Sequence, residues 1–215
     1  MELGSLIEEL ELAQIDGERR PVRLRLPNLE EERYDKLYLQ QIEGREGIGE
    51  GVYYQLLCVS QKAGMALKRF IGQPAEIQYS TDNGLVHRVC GLVTGAQEGA
   101  GDGSLASYRL ELRDITALFE KRHNSRIFRR LDEIQITGKI LEDWRQTYPL
   151  IASAFELDCS HVVGDYPIRE FTFQYNESDA HFLKRLWARR GISWVIRAGC
   201  ADPANSSNNE APVHT

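Results

Sequence analysis

Apolar and polar residues alternate over much of the first half of this chain, and that alternation predicts strands. In Val22-Arg23-Leu24-Arg25-Leu26 apolar and basic side chains take turns, as on a half-buried strand. A second run, YYQLLCVS from Tyr53, is dense in aromatic and aliphatic residues, and AEIQYS follows from Ala75. Thr81-Asp82-Asn83-Gly84 separates AEIQYS from LVHRVCGLV, and Asn-Gly marks a hairpin because both residues tolerate positive φ. GAQEGAGDGSLAS, from Gly95, reads as a glycine-rich loop before SYRLELRD, whose Tyr108, Leu110 and Leu112 share one face. A short helical turn over AGMALKRFIG interrupts the strands. Strands this short and this closely spaced predict a small antiparallel barrel or sandwich between about Val22 and Arg113.

Beyond Asp114 the rhythm changes. Ile127, Leu131, Ile134, Ile140 and Leu141 fall near helical spacing and predict a helix ending near Trp144, although Thr137 and Gly138 oppose it. Tyr148-Pro149 then breaks the chain. In REFTFQY, Phe171, Phe173 and Tyr175 point one way and Thr172 and Gln174 the other, which is a strand. Ser178 follows as an N-cap with Asp179 in the first turn. Phe182, Leu183, Leu186 and Trp187 form the helix's apolar stripe. Arg189 and Arg190 suit its C-terminal end, Gly191 is a C′ glycine, and ISWVI predicts a further strand. The expected fold is α+β and mainly β. A lead-in covers 1–20, a first β-barrel 21–120 and an α/β connecting module with strand–helix–strand 121–198, while 199–215 has the composition of a linker.

With 42% apolar and 27% charged residues, 215 residues can build one large or two small domains. A net charge of -6 gives no electrostatic reason to bind nucleic acid or anionic lipid, and the basic cluster Arg126, Arg129 and Arg130 reads as a solvated face. No apolar run approaches the roughly 20 residues of a membrane span, so no integral membrane segment is expected. MELGSLIEELELAQ is acidic where a secretory signal is basic, which predicts a cytoplasmic start and any export by another route. The cysteines at 58, 90, 159 and 200 lack the density of a disulfide scaffold and the paired spacing of a zinc site. Cys58 and Cys90 sit in strand-like runs and read as buried thiols.

Candidate chemistry is thin. Gly47, Gly49 and Gly51, like Gly99, Gly101 and Gly103, form GxGxG without the spacing or context of a dinucleotide loop. Cys159 and His161 could begin a metal site or a thiol–imidazole couple, but further ligands and family signatures around the cysteine are missing. Glu177 and Asp179 could be a glycosidase pair, yet flanking an N-cap they have an ordinary role at the helix N-terminus. Asn176-Glu177-Ser178 is a formal sequon without an accompanying signal peptide. His87 and His181 have no evident partner in sequence, and Trp144, Trp187 and Trp194 lie on apolar patterns as core or interface. No catalytic residue, cofactor site or metal site is expected. A small hydrolase using Cys159/His161 or Glu177/Asp179 is the minor alternative.

The string REFTFQYNESDAHFLKRLWARRGISWVI closely resembles the signature of VgrG proteins and contractile-phage baseplate hubs. The resemblance falls on Arg169, Gln174, Tyr175, Glu177, Ser178, Asp179, Phe182, Arg185, Leu186, Gly191 and Ile192. Upstream, Gly44, Glu46, Ile48 and Tyr54 resemble the family's opening strand, and Gly91-Leu92-Val93 its Gly-Ile-Val strand. Arg126-Ile127-Phe128 is similar to the Arg-Ile-Phe before its helix, and Val213-His214-Thr215 to the start of a next strand. Gly49, Val52 and the basic turn Arg189-Arg190 depart from the family's usual Ser, aromatic and acidic residues. The resemblance implies a structural hub at the base of the type VI secretion puncturing spike. It implies a homotrimer whose barrels match a hexameric Hcp-like tube, with baseplate components as neighbours and a tip protein and effectors carried by a C-terminal part absent here. In that reading 199–215 opens a truncated second barrel, this stretch trimerises weakly or not at all by itself, and the spike is secreted without a cleaved signal. A phage or pyocin tail hub of the same fold is the alternative.

Overall fold

A computed structural model describes residues 21–27, 29, 36–80, 86–101, 105–152 and 154–199. The lead-in over 1–20, the Asn83-Gly84 turn, residues 102–104, Cys200 and the final Val213-His214-Thr215 lie outside the described residues.

The alternating first half folds as one antiparallel sheet. Its strands are β1 (Val22–Arg25), β2 (Tyr38–Gly47), β3 (Gly51–Ser60), β4 (Pro74–Ser80), β5 (Val86–Gly101) and β6 (Ala106–Arg113). They are ordered β1-β4-β5-β6-β3-β2, and the edge strands β1 and β2 approach each other as the sheet curls into a half-barrel. Tyr108, Leu110 and Leu112 are fully buried on the inner face with Leu56, Cys58 and Ile77. Tyr108 reaches the end of the core, where its hydroxyl donates to the Lys62 carbonyl at 2.8 Å, so its polar tip is satisfied. The expected helical turn is a 3-10 turn over Leu67–Arg69, followed by Phe70 packing on Tyr108.

Three expectations shift. Much of the glycine-rich stretch read as a loop is strand, because β5 runs to Gly101 with bulges at Val93/Gly95 and Glu98/Gly101. Its glycines serve close packing: a Cβ at Gly95 would lie 3.2 Å from the Glu111 Cβ, and one at Gly99 2.5 Å from the Ser107 hydroxyl.

The second half adds α1 (Thr116–Phe119), β7 (His123–Leu131), α2 (Glu133–Thr147), α3 (Pro149–Ala152), β8 (Arg169–Ser178) and α4 (Asp179–Arg190). The helix expected from Ile127 therefore starts only at Glu133, and Ile127 and Leu131 belong to the β7–β8 ribbon. Asp132 fixes that start with a reciprocal capping box. Its carboxylate accepts from the Gln135 N–H at 2.8 Å while the Gln135 side chain accepts from the Asp132 N–H at 3.1 Å. Thr137 fits inside the helix because its hydroxyl donates back to the Glu133 carbonyl and accepts from the Trp187 indole N–H. Ser178 caps α4 and Gly191 ends it at φ 67°, with the Ile192 N–H returning to the Trp187 carbonyl. The segment ISWVI finds no ladder: residues 192–197 are not in a strand, and the Trp194 carbonyl instead accepts from the Gly49 N–H at 2.8 Å.

Leu92, Phe119, Phe128, Ile136, Ile140, Trp144, Phe155, Phe182, Leu183 and Leu186 form a second apolar core. Leu92 belongs to β5, whose Val89 and Val93 enter the first core.

Candidate functional site

The ribbon reverses the usual strand pattern. Thr172 and Gln174 are buried beneath α2 and α4, whereas Phe171, Phe173 and Tyr175 are 46%, 57% and 82% exposed. Ile127, paired with Phe173, is 52% exposed, and Arg129, paired with Phe171, lies over its ring at 5.4 Å. The polar face goes inward because a buried charge awaits it.

That charge is Asp179, whose side chain is fully buried at the start of α4. One oxygen accepts from Arg122 Nε at 2.7 Å and Trp144 Nε1 at 2.9 Å. The other accepts from Gln174 Nε2 at 2.7 Å, Arg126 Nη2 at 2.8 Å and Asn124 Nδ2 at 3.1 Å. Burial pushes this carboxyl up, but the donors, led by Gln174, Asn124 and Arg122, outweigh it and hold it below the usual carboxylate range. Asp179 thus ties β7, β8 and α2 to the first turn of α4, a larger role than helix-end charge. Arg126, read as part of a solvated face, is held inside by Asp179, Asp143 and Gln174.

Other residues of this segment brace β8 against the two helices. Arg169 Nε lies 3.2 Å from Glu133 Oε1, which also accepts from Arg190 Nε at 2.7 Å. The basic last turn of α4 therefore supplies a counter-charge to a buried glutamate. Glu177 accepts from Arg185, whose guanidinium also reaches the Phe173 carbonyl, and contacts the ring of His181 at 2.8 Å. Phe182 stacks on Phe128 at 5.6 Å, and Leu186 is buried beside it. His87, without a partner in sequence, lies against the Tyr79 ring.

The surroundings of the two candidate hydrolase pairs set their charge states. Glu177 and Asp179 are both held below the usual range, burial notwithstanding, so each favours the carboxylate and neither is a proton donor near neutral pH. Cys159 and His161 line a cleft of about 320 Å³ with Phe119, Leu141, Trp187 and Trp194. Burial, helped by the Asp158 charge, pushes the Cys159 thiol up, away from the thiolate a nucleophile requires. Among the described residues no group of three or more His, Cys, Asp or Glu could hold a metal ion. Nor is any described helix long and apolar enough to cross a membrane.

The phage tail baseplate hub (GPD) family matches residues 45–202, spanning most of the half-barrel, the ribbon and α4. The chain belongs to this family. Baseplate hub proteins are structural parts. The chain is homologous to type VI secretion spike proteins of Pseudomonas aeruginosa. It is 35% identical to VgrG4b over 161 residues, covering 75% of this chain and 19% of that protein, and 32% identical to VgrG5 over 171 residues, covering 80% and 20%. The chain thus spans about a fifth of the curated relatives it matches. The solved structure of the E. coli c3393 protein, described as a type VI secretion component similar to the T4 tail proteins gp27 and gp5, shares the fold. The TM-score is 0.65 at 23% identity, over 89% of this chain and 48% of that one.

Sequence reasoning missed that Arg122, Asn124, Arg126 and Trp144 converge on Asp179, and that Glu133 pairs with Arg169 and Arg190. A signal was present in Arg122, Asn124 and Arg126, polar residues at every second position of one strand face. Alternation alone does not say which face is inside.

Proposed function

We propose that this baseplate hub chain is the tube-docking base of a type VI secretion puncturing spike. The family match over residues 45–202, with curated type VI spike relatives across the same region, carries this reading. In it the protein assembles as a homotrimer on a hexameric Hcp-like tube, beside baseplate components, and a C-terminal part bears a tip protein and effectors. It has no enzymatic activity of its own in this region. It is assembled in the cytoplasm and leaves with the contracting machine. Residues 21–120 serve as the tube-like barrel, 121–198 as the connecting module and 199–215 as the passage to a second barrel. Arg169, Gln174, Glu177, Ser178, Asp179, Phe182, Arg185, Leu186 and Gly191 hold the module's shape, and Tyr175 and Ile192 complete the signature.

The complete protein carrying Cys159→Ala and His161→Ala is expected to support export and target-cell killing as the unsubstituted protein does. Loss of a measurable hydrolytic activity with assembly unharmed would overturn the structural reading. The family's phage members favour one second reading, a phage or pyocin tail hub. Purification of the contractile particle separates the two: tail fibres on the particle indicate a phage or pyocin, and export dependent on a membrane complex indicates type VI.

A further inference from the structure

The hub reading leaves open which surfaces of neighbouring subunits meet, and the ribbon offers half an answer. We infer that the aromatic outer face of the β7–β8 ribbon is the seat for the β2–β3 hairpin tip of a second copy of this chain. The inference rests on the trimeric reading above and names its contact.

The seat comprises Ile127, Phe171, Phe173 and Tyr175, all exposed on one face of a two-stranded ribbon whose opposite face is sealed by the Asp179 network. Arg129 crosses that face, and exposed Arg130 follows it at φ 52°. Aromatic residues interleaved with arginine are the composition of interface anchors. The occupant must present an apolar group flanked by negative charge.

The tip of the β2–β3 hairpin has that form, and its apolar residue is more exposed than the similarly flanked Leu157, which is 43% exposed. The turn between β2 and β3 reads Glu46-Gly47-Ile48-Gly49-Glu50, with Ile48 73% exposed between two exposed glutamates. The adjacent Arg45 turns toward the Tyr53 ring at 5.9 Å. The tip is held in shape from both sides: the Gly49 N–H donates to the Trp194 carbonyl, and the Asp114 carboxylate accepts from the Val52 N–H at 2.7 Å. A preorganised tip loses little conformational freedom on docking. Seat and tip are different surfaces, so the contact is head-to-tail, the kind that closes into a ring when its rotation permits. A single isoleucine with two flanking charges falls well below the roughly 1,000 Å² of a stable interface, so this stretch alone associates weakly and must be trapped.

The test mixes two singly substituted chains in a Cys159→Ser, Cys200→Ser background, one carrying Ile48→Cys and the other Phe173→Cys, under a mild oxidant. The expected result is a disulfide-linked heterodimer several-fold above that of Ile48→Cys mixed with Val163→Cys, a site 89% exposed on a loop. Arg129→Glu on the Phe173→Cys chain is expected to lower the yield several-fold, and Glu46→Lys with Glu50→Lys on the other chain to restore it. Circular dichroism confirms that each variant is folded. Cross-linking no greater than the control, a predominance of Phe173→Cys homodimers, or indifference to charge reversal would overturn the inference. Sedimentation of the complete protein separates this failure from failure of the hub reading. A trimer without the 48–173 cross-link sinks only the contact, whereas a monomer sinks the reading beneath it.

Discussion

Asp179 shows how much can hang on one carboxylate. Five side-chain donors converge on it, four from β7, β8 and α2 and one, Arg122, from the turn before β7, and its own N–H donates to the Arg122 carbonyl at 3.1 Å. Asp179→Asn keeps the size but removes the charge facing Arg122 and Arg126. Breaking a buried pair costs about 3–5 kcal/mol, and the low end, about 3 kcal/mol, is expected because both arginines also reach solvent. Urea denaturation measures it, and a loss under 1 kcal/mol would contradict the network's importance. Gly51 is a second sensitive point. Its φ is +83°, and an added Cβ would collide with the Asp114 carboxylate that caps the Val52 and Thr116 N–H groups. Gly51→Ala is expected to cost about 2 kcal/mol or more, from left-handed strain plus displacement of that acceptor. Glycine spacing alone exposed neither position, since Gly47, Gly49 and Gly51 look equally loop-like in the sequence.

At the scale of elements, legibility depended on whether neighbours agreed with local pattern. The strand Ala106–Arg113 was readable because Tyr108, Leu110 and Leu112 alternate cleanly toward one core. Helix α4 was readable from cap to glycine because Ser178 and Gly191 obey local rules. Helix α2 was misplaced at its start because Ile127 and Leu131 imitate helical spacing while lying on a strand, and only the cap at Asp132 separates the two elements. ISWVI looked like a strand and lacks a ladder partner, which no local pattern reveals. The sequence's warning about Gly138 survives as an opportunity. An added Cβ there meets nothing within 4 Å, so Gly138→Ala is expected to stabilise the protein by about 0.5–1 kcal/mol, read as a higher urea midpoint at unchanged slope. A destabilised variant would mean that the glycine has a packing role.

At the scale of the molecule, three of the four buried carboxylates among the described residues are held ionised by their partners. Glu76 in the sheet, paired with Arg88 at 2.6 Å, joins Glu133 and Asp179 in the second core. Burial raises each, and hydrogen bonds and arginines more than compensate, leaving all three below the usual range. Groups whose folded pKa is depressed stabilise fully above the unfolded value, near 4, and lose that contribution as pH falls through the lower folded value. Stability is therefore expected to be flat from neutrality to about pH 5 and to fall steeply below about pH 4. Urea midpoints measured across that range should show the unfolded state binding more protons, and a stability that rises on acidification would refute it. Composition gave no hint of this, because an acidic residue paired inside and one solvated outside count alike toward a net charge of -6.

Strand β5 sends Val89 and Val93 into one core and Leu92 into the other. A strand shared in this way makes the two halves mechanically one piece. On the proposed reading of a puncturing spike, a push passing from the half-barrel to the ribbon meets this shared strand rather than a free linker. The joint can yield only by shearing β5 along its ladders with β4 and β6, where many hydrogen bonds must fail together rather than in turn. A cut in β5 would disable both halves at once.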